Sequence, residues 1–188
     1  YSFYPTKNLG TPGDGGALVT NCSELAFQAK RLRNYGQSER YHHPEIGMNS
    51  RLDEIHAAML QVRLNWLKEF TERRREIAGM YMEEIKNSKI SLMSKPQSKA
   101  AHVYHLFVIL TPNRERLMNY LRERGVSTLI HYPIPIHMQN PCIGFKRDPN
   151  GLPHTESHAN QCLSLPCHPQ MTDEQVQVVV ESINKFNI

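Results

Sequence analysis

The chain carries one tryptophan, four cysteines and no internal repeat, and no apolar run in its 188 residues approaches the roughly 20 needed to cross a bilayer. A spanning segment is thereby excluded. The first residues, Tyr1 to Lys7, also lack the basic-then-apolar layout of a secretory signal, so a cytoplasmic home is expected. Cys22, Cys142, Cys162 and Cys167 are too few and too scattered for a disulfide framework, and no C-x-x-C pair is present to begin a common zinc site. Charge of one sign is scarce as well. A formal net charge of +4 with 39% hydrophobic and 21% charged residues is the composition of a globular protein rather than a disordered chain. The densest basic cluster, Arg73-Arg74-Arg75, lies among Glu69, Glu72, Glu76, Glu83 and Glu84. It reads as a solvated helix face with neighbouring ion pairs. No aromatic residues alternate with these charges and no reader motif is present, so nucleic acid is not an expected partner.

What is there changes in character along the chain. Gly13-Asp14-Gly15-Gly16 is turn-rich, and Ala17-Leu18-Val19-Thr20 after it is short and apolar enough to predict a buried strand. Ser23 is expected to cap a helix over Glu24 to Arg33, stopped by Asn34-Tyr35-Gly36. Residues 37–49 are polar and include Pro44, Gly47, His42 and His43, which predicts a loop of functional length. From Arg51 to Asn87 no proline occurs, and Leu52, Ile55, Met59, Val62, Trp66 and Phe70 recur at helical spacing while Leu60, Leu64 and Leu67 form a second face. A helix apolar on two sides is expected there, with Gly79 as its break. Short strands are predicted over 89–93, 102–110 and 126–131, helices over 113–124 and 155–163, and a proline-broken loop over 132–154. Thr172 and Gln175 have the spacing of a capping box ahead of the apolar face Val176, Val179, Val180 and Ile183.

Among residues able to do chemistry, Lys7 stands between Phe3 and Tyr4 on one side and the small-residue turn Gly10 to Gly16 on the other. A lysine in such surroundings loses solvation, which favours the neutral amine that attacks a carbonyl. Composition alone makes a lone lysine an ordinary surface residue. The histidines invite a metal reading, above all His158, Cys162, Cys167 and His168, but Pro166 and the lack of a second spaced pair argue against it, so no metal is expected.

Several motifs occur in order: Ser2-Phe3-Tyr4-Pro5-Thr6-Lys7-Asn8-Leu9-Gly10 with Gly13-Asp14-Gly15-Gly16-Ala17, then Arg33-Asn34-Tyr35-Gly36, then Gly47-Met48-Asn49-Ser50-Arg51-Leu52-Asp53-Glu54. They continue in His102-Val103-Tyr104-His105-Leu106-Phe107, in Leu129-Ile130-His131-Tyr132-Pro133-Ile134-Pro135-Ile136-His137, and in Cys162-Leu163-Ser164-Leu165-Pro166. Together they resemble the second half of the pyridoxal-phosphate-dependent sugar aminotransferases of the DegT/DnrJ/EryC1/StrS family. The resemblance covers nearly the whole chain, and around His131 to Gln139 it is most similar to the branch that aminates C3 of nucleotide-linked 3-oxo-6-deoxyhexoses. It implies an α/β fold, the C-terminal portion of a fold-type I aminotransferase, with the end of the large cofactor domain over 1–50, a linking helix or helices over 51–87, and a small α+β domain over 88–188.

By position, the resemblance implies that Lys7 holds pyridoxal 5'-phosphate covalently and moves the proton at the reacting carbon. It implies that Ser2 and Asn49 serve the cofactor phosphate, Asn49 from across a dimer interface. Tyr4, Arg40, Tyr41, His131 and Tyr132 are the candidates for the sugar nucleotide, with Arg40 suited to a diphosphate oxygen. The implied reaction moves an amino group from glutamate to a nucleotide-linked keto sugar, such as a dTDP-3-oxo-6-deoxyhexose, for surface-polysaccharide (lipopolysaccharide O-antigen) or glycosylated-metabolite synthesis, in a homodimer with composite active sites. In that family the carboxylate facing the pyridine nitrogen and the ring-stacking aromatic precede the lysine, whereas six residues precede Lys7 here. The chain is thus expected to be an incomplete part of an enzyme. The rival expectation is a truncated, non-catalytic relative that acts as a dimerisation or assembly module.

Overall fold

The computed structural model describes residues 1–145 and 148–187. The chain divides into two compact units, Tyr1–Glu69 and Phe70–Ile188. No helix among the described residues is long and apolar enough to cross a membrane.

The first unit opens with a closed hairpin. Ser2 bridges Gly16 in antiparallel fashion, Phe3 N–H donates to the Gly15 carbonyl (2.8 Å) and Thr11 N–H to the Phe3 carbonyl (2.9 Å). Ala17 to Thr20, predicted as a strand, form none. β-Branched composition makes a strand only where a neighbouring ladder accepts its backbone groups, and Leu18 and Val19 stand exposed. Helix α1 (Ser23–Leu32) begins one residue earlier than expected. Cys22 is its N-cap and makes no side-chain cap, so Ser23 is the first helical residue instead of the cap. Helix α2 (Glu54–Leu64) follows a long loop.

The break in the predicted long helix falls at Asn65 and Trp66, whose N–H groups turn back to the Val62 and Arg63 carbonyls, and helix α3 (Leu67–Glu84) then runs unbroken through Gly79. A mid-helix glycine costs about 1 kcal/mol. Full burial of Ile77, Ala78 and Tyr81 beside it outweighs that cost, at roughly 1.5–3 kcal/mol for each large apolar side chain.

The second unit is built on a three-stranded antiparallel sheet, β1 (Ser91–Leu92), β2 (Phe107–Leu110) and β3 (Cys162–Leu165), with β2 in the middle. Phe107 lies opposite Leu165 and Leu110 opposite Cys162. Helices α4 (Arg114–Arg122) and α6 (Asp173–Lys185), with the second half of α3, supply the rest of the core: Ile77, Tyr81, Leu117, Leu121, Val176 and Ile183 close on Phe107, Ile109 and Leu163. The Tyr81 and Phe107 rings lie 5.0 Å apart. The capping box forms as predicted: Gln175 N–H donates to Thr172 Oγ1, and the Gln175 side chain accepts from Thr172 N–H.

Three predicted elements differ. The strand over 102–110 shortens to β2, because Tyr104 adopts φ +44° and its carbonyl, with that of His105, is taken by Arg74 Nη1 at 3.1 and 3.2 Å. The strand over 126–131 reduces to one bridge between Leu129 and Ser164. The helix predicted over 155–163 is α5 (Pro153–Gln161), and it gives way to β3 at Cys162. The proline-broken loop contains short 3-10 turns at Ile136–Met138 and Asn140–Cys142; residues 146 and 147 of it lie outside the described residues.

The solvated-face reading of the arginine cluster fails at its centre. Arg73 pairs with Glu76 and Asp173, and Arg75 with Glu72, but Arg74 is buried and also donates to the Cys167 carbonyl. Backbone carbonyls therefore solvate this cation in place of water or a carboxylate. Beside it, burial pushes the Cys167 thiol up to about 11, with Arg74 opposing, and burial raises the Tyr81 phenol as well. Between about 8.5, where an unfolded cysteine ionises, and about 11 the native chain keeps a proton that the unfolded chain has released. Unfolding free energy accordingly falls as pH rises through that window. Urea titrations across it should show a shallower decline for Cys167→Ala than for wild type, and equal slopes would contradict the assignment.

Candidate active site

Lys7 sits on a tight turn at the tip of the opening hairpin. Its N–H donates to the Tyr4 carbonyl (2.9 Å), and the return strand passes so close that a Cβ on Gly10 would lie 2.6 Å from the Tyr4 carbonyl oxygen and 2.7 Å from that of Pro5. Only glycine permits that crossing. The turn is thus fixed from behind while the Lys7 side chain is half-buried and that of Tyr4 is exposed. Ser2 Oγ accepts a long hydrogen bond from Tyr4 N–H (3.4 Å), which leaves its own proton for an acceptor. Thr11 Oγ1, on the same hairpin, is buried with no hydrogen-bond partner among the described residues. A groove of about 540 Å³ runs between this hairpin and α2, lined by Pro5, Thr11, Pro12, Ile55, Met59 and Arg63 among others.

Arg40 and Tyr41 belong to a second closed loop. Its neck is tied by Tyr35 N–H to the Met48 carbonyl, Met48 N–H to that of Leu32 and Ser50 N–H to that of Arg33, and by an Arg31–Glu45 ion pair. Gly36 and Gly47 cross within this neck: a Cβ on Gly36, already at φ +68°, would lie 1.9 Å from the Glu45 carbonyl oxygen. At the tip, His42 N–H donates to the Glu39 carbonyl (2.8 Å), which puts Arg40 and Tyr41 at the two corner positions. Tyr41 adopts φ +70°, a left-handed conformation that costs a side-chain-bearing residue about 1 kcal/mol or more. Its ring is open to solvent, with the Arg40 guanidinium 5.1 Å from its centroid.

Asn49 lies where this neck closes, bridged through its backbone to Asn34. Arg51 Nε donates to Asn49 Oδ1 (3.2 Å), and Arg51 Nη2 to the Tyr35 hydroxyl (3.4 Å). With its oxygen engaged, Asn49 has its amide N–H₂ left to offer. Arg51 and Tyr35 were not expected from spacing; a basic residue two positions from a candidate amide is the only sequence signal that points to the first.

In the second unit, His131 and Tyr132 are adjacent and meet edge to face, ring centroids 5.4 Å apart at 80°. His131 Nδ1 shares a 2.8 Å hydrogen bond with Ser164 Oγ, and the two backbones join through Ser164 N–H to the Leu129 carbonyl (2.7 Å) and Leu129 N–H to the Ser164 carbonyl (3.2 Å). Ser164 is buried in β3 and was no candidate, because one serine in an apolar run gives no pattern. Farther along the loop, His137 Nε2 and Glu156 Oε1 are 3.0 Å apart. Among the described residues, no group of three or more histidine, cysteine, aspartate or glutamate side chains is placed to hold a metal ion.

Known proteins resemble the chain over nearly its whole length. The DegT/DnrJ/EryC1/StrS aminotransferase family matches residues 1–184. The dTDP-3-amino-3,6-dideoxy-alpha-D-galactopyranose transaminase of Aneurinibacillus thermoaerophilus is 46% identical over 186 residues, 99% of this chain and 50% of its own length. S. venezuelae DesV, solved in complex with a ketimine intermediate, superposes with a TM-score of 0.90 at 41% identity, over 98% of this chain and 50% of its own. NtdA of Bacillus subtilis, solved with bound cofactor PMP, gives a TM-score of 0.84 at 31% identity, over 97% of this chain and 44% of its own. The chain spans about half the length of the curated relatives it matches. It belongs to the DegT/DnrJ/EryC1/StrS aminotransferase family, and its fold is the corresponding half of that family's fold-type I aminotransferases.

The residues present fit the reactive and phosphate ends of a pyridoxal cofactor: an amine on a braced turn, and hydroxyl and amide groups that still have hydrogens to donate. The loop that carries Arg40 and Tyr41 depends on its glycine crossing. Gly36→Ala should open the neck, so that trypsin cuts after Arg40 on the order of tenfold faster. A wild-type cutting rate, in a variant with wild-type circular dichroism, would contradict the crossing.

Proposed function

From membership in this family, we propose that the intact protein is a pyridoxal 5'-phosphate-dependent aminotransferase that moves an amino group from glutamate to a nucleotide-linked keto sugar, a dTDP-3-oxo-6-deoxyhexose. The observation that carries the reading is Lys7 on its glycine-braced turn in a chain 46% identical to a transaminase named for a dTDP-linked 3-amino sugar. When bound, the cofactor supplies the carbonyl that carries the amino group and the electron sink for the reacting carbon.

The chain's own residues have distinct tasks. Lys7 Nζ anchors the cofactor and, once released, takes and returns the proton at the reacting carbon; the turn keeps the amine within reach, so proximity replaces a bimolecular encounter. The Ser2 hydroxyl and the Asn49 amide donate to phosphate oxygens. Tyr4 and Tyr41 offer hydroxylated rings to the sugar and Arg40 a cation to the diphosphate. His131 and Tyr132 are further candidate contacts for the sugar nucleotide.

Assembly as a homodimer with composite sites is part of this reading. Leu18, Val19, Phe27, Ile46, Ile55 and Trp66 of the first unit are all more than half exposed, apolar surface for the rest of the intact protein and a second subunit to cover. The product suits cytoplasmic synthesis of a surface polysaccharide such as a lipopolysaccharide O-antigen, or of a glycosylated metabolite. The test is an assay of the intact protein with glutamate and a panel of dTDP- and UDP-linked keto sugars. Wild type should form the amino sugar, best from a dTDP-linked 3-oxo sugar, and Lys7→Ala should lose at least about 10³-fold, the range of a general acid–base catalyst. Undiminished turnover in Lys7→Ala would sink the mechanism; inactivity of wild type on every sugar would favour an assembly module.

A further inference from the structure

The bond between Ser164 and His131 determines which hydrogen atoms the histidine can offer. Ser164 as a residue is 4% exposed, and His131 Nδ1, at 2.8 Å, is the hydrogen-bond partner of its hydroxyl. Among the described residues no second partner is found for that oxygen. A buried hydroxyl whose proton points at no acceptor forfeits a hydrogen bond that water would have supplied. If Nδ1 carried the ring proton, Ser164 would have to accept it, and its own proton would be stranded. If Nδ1 is bare, Ser164 donates to it and both groups are satisfied. The neutral ring then carries its proton on Nε2.

The anchor is rigid as well as selective. Ser164 sits in β3 opposite Val108 and is tied to the Leu129 backbone in both directions, two residues before His131. The ring is thus held by a side-chain bond at Nδ1, a nearby backbone bridge and the edge of Tyr132. We propose that Ser164 is a positioning residue that fixes His131 as an Nε2–H donor, aimed at an oxygen of the sugar nucleotide and never presenting that oxygen with a bare, repelling nitrogen. This rests on the reading of His131 as a substrate contact. It also makes the second unit a site of specificity: a hydroxyl or carbonyl oxygen is accepted at Nε2, and an ammonium or amide N–H is rejected.

Two measurements separate the proposal from the reading beneath it. In ¹⁵N-histidine-labelled protein at mildly alkaline pH, long-range ¹H–¹⁵N spectra should show His131 protonated at Nε2, and Ser164→Ala should move the Nδ1 resonance. A ring protonated at Nδ1 would overturn the proposal without reference to activity. In the intact protein, Ser164→Ala should slow the sugar half-reaction about tenfold and leave the glutamate half-reaction, followed by cofactor absorbance, unchanged. Ser164→Thr should restore most of the loss, and in a His131→Ala background Ser164→Ala should add less than about twofold. Equal slowing of both half-reactions, or full additivity with His131→Ala, would overturn the positioning role. If His131→Ala itself leaves the sugar half-reaction unchanged, the substrate-contact reading falls, and this proposal with it.

Discussion

At two places in the first unit, backbone passes backbone at distances no side chain allows. A Cβ at Gly10 would sit 2.6 Å from the Tyr4 carbonyl oxygen, and one at Gly36 would sit 1.9 Å from that of Glu45. Each crossing closes a loop: the hairpin that carries Lys7, and the loop that carries Arg40 and Tyr41. Loops are ordinarily where order is lost, but these two have their ends fixed by backbone hydrogen bonds and need few buried side chains to hold their shape.

The second unit reaches order by a different route. Its core is a conventional one, helices on a small antiparallel sheet, but the segments that leave regular structure are fixed by buried polar groups. Arg74 gathers the carbonyls of Tyr104, His105 and Cys167, and Ser164 holds His131. A buried cation among carbonyls is costly to desolvate, and three hydrogen bonds offset that cost at one place in the chain. The result is that irregular backbone beside the sheet has a defined path, a precondition for any side chain there to meet a ligand in one geometry.

How much of this was legible depended on whether a feature left a periodic or local signal. The final helix was readable to its cap, because Thr172 and Gln175 act on each other across three residues. The helix break was not readable at Asn65 and Trp66, since Leu64, Trp66 and Leu67 carry the apolar spacing across it, while Gly79 signalled a break that packing overrode. Strand β3 was missed because all four of its residues are buried and a strand covered on both faces shows no alternation. The arginine cluster read as one solvated face because its neighbours are acidic; that Arg74 turns inward is decided by carbonyls 30 and 93 residues away. In the site, the motif around Lys7 was visible as a string, but the brace behind it, and the Ser164 and Arg51 contacts, exist only once the chain is folded.

The proposed chemistry depends first on Lys7 as the covalent anchor. Borohydride reduction of the intact protein loaded with pyridoxal 5'-phosphate, followed by proteolysis and mass spectrometry, tests it most directly. The expected result is one phosphopyridoxyl group per chain, on the peptide that contains Lys7. A stoichiometric group on any other lysine, or none on a protein that binds the cofactor and turns over, would contradict it.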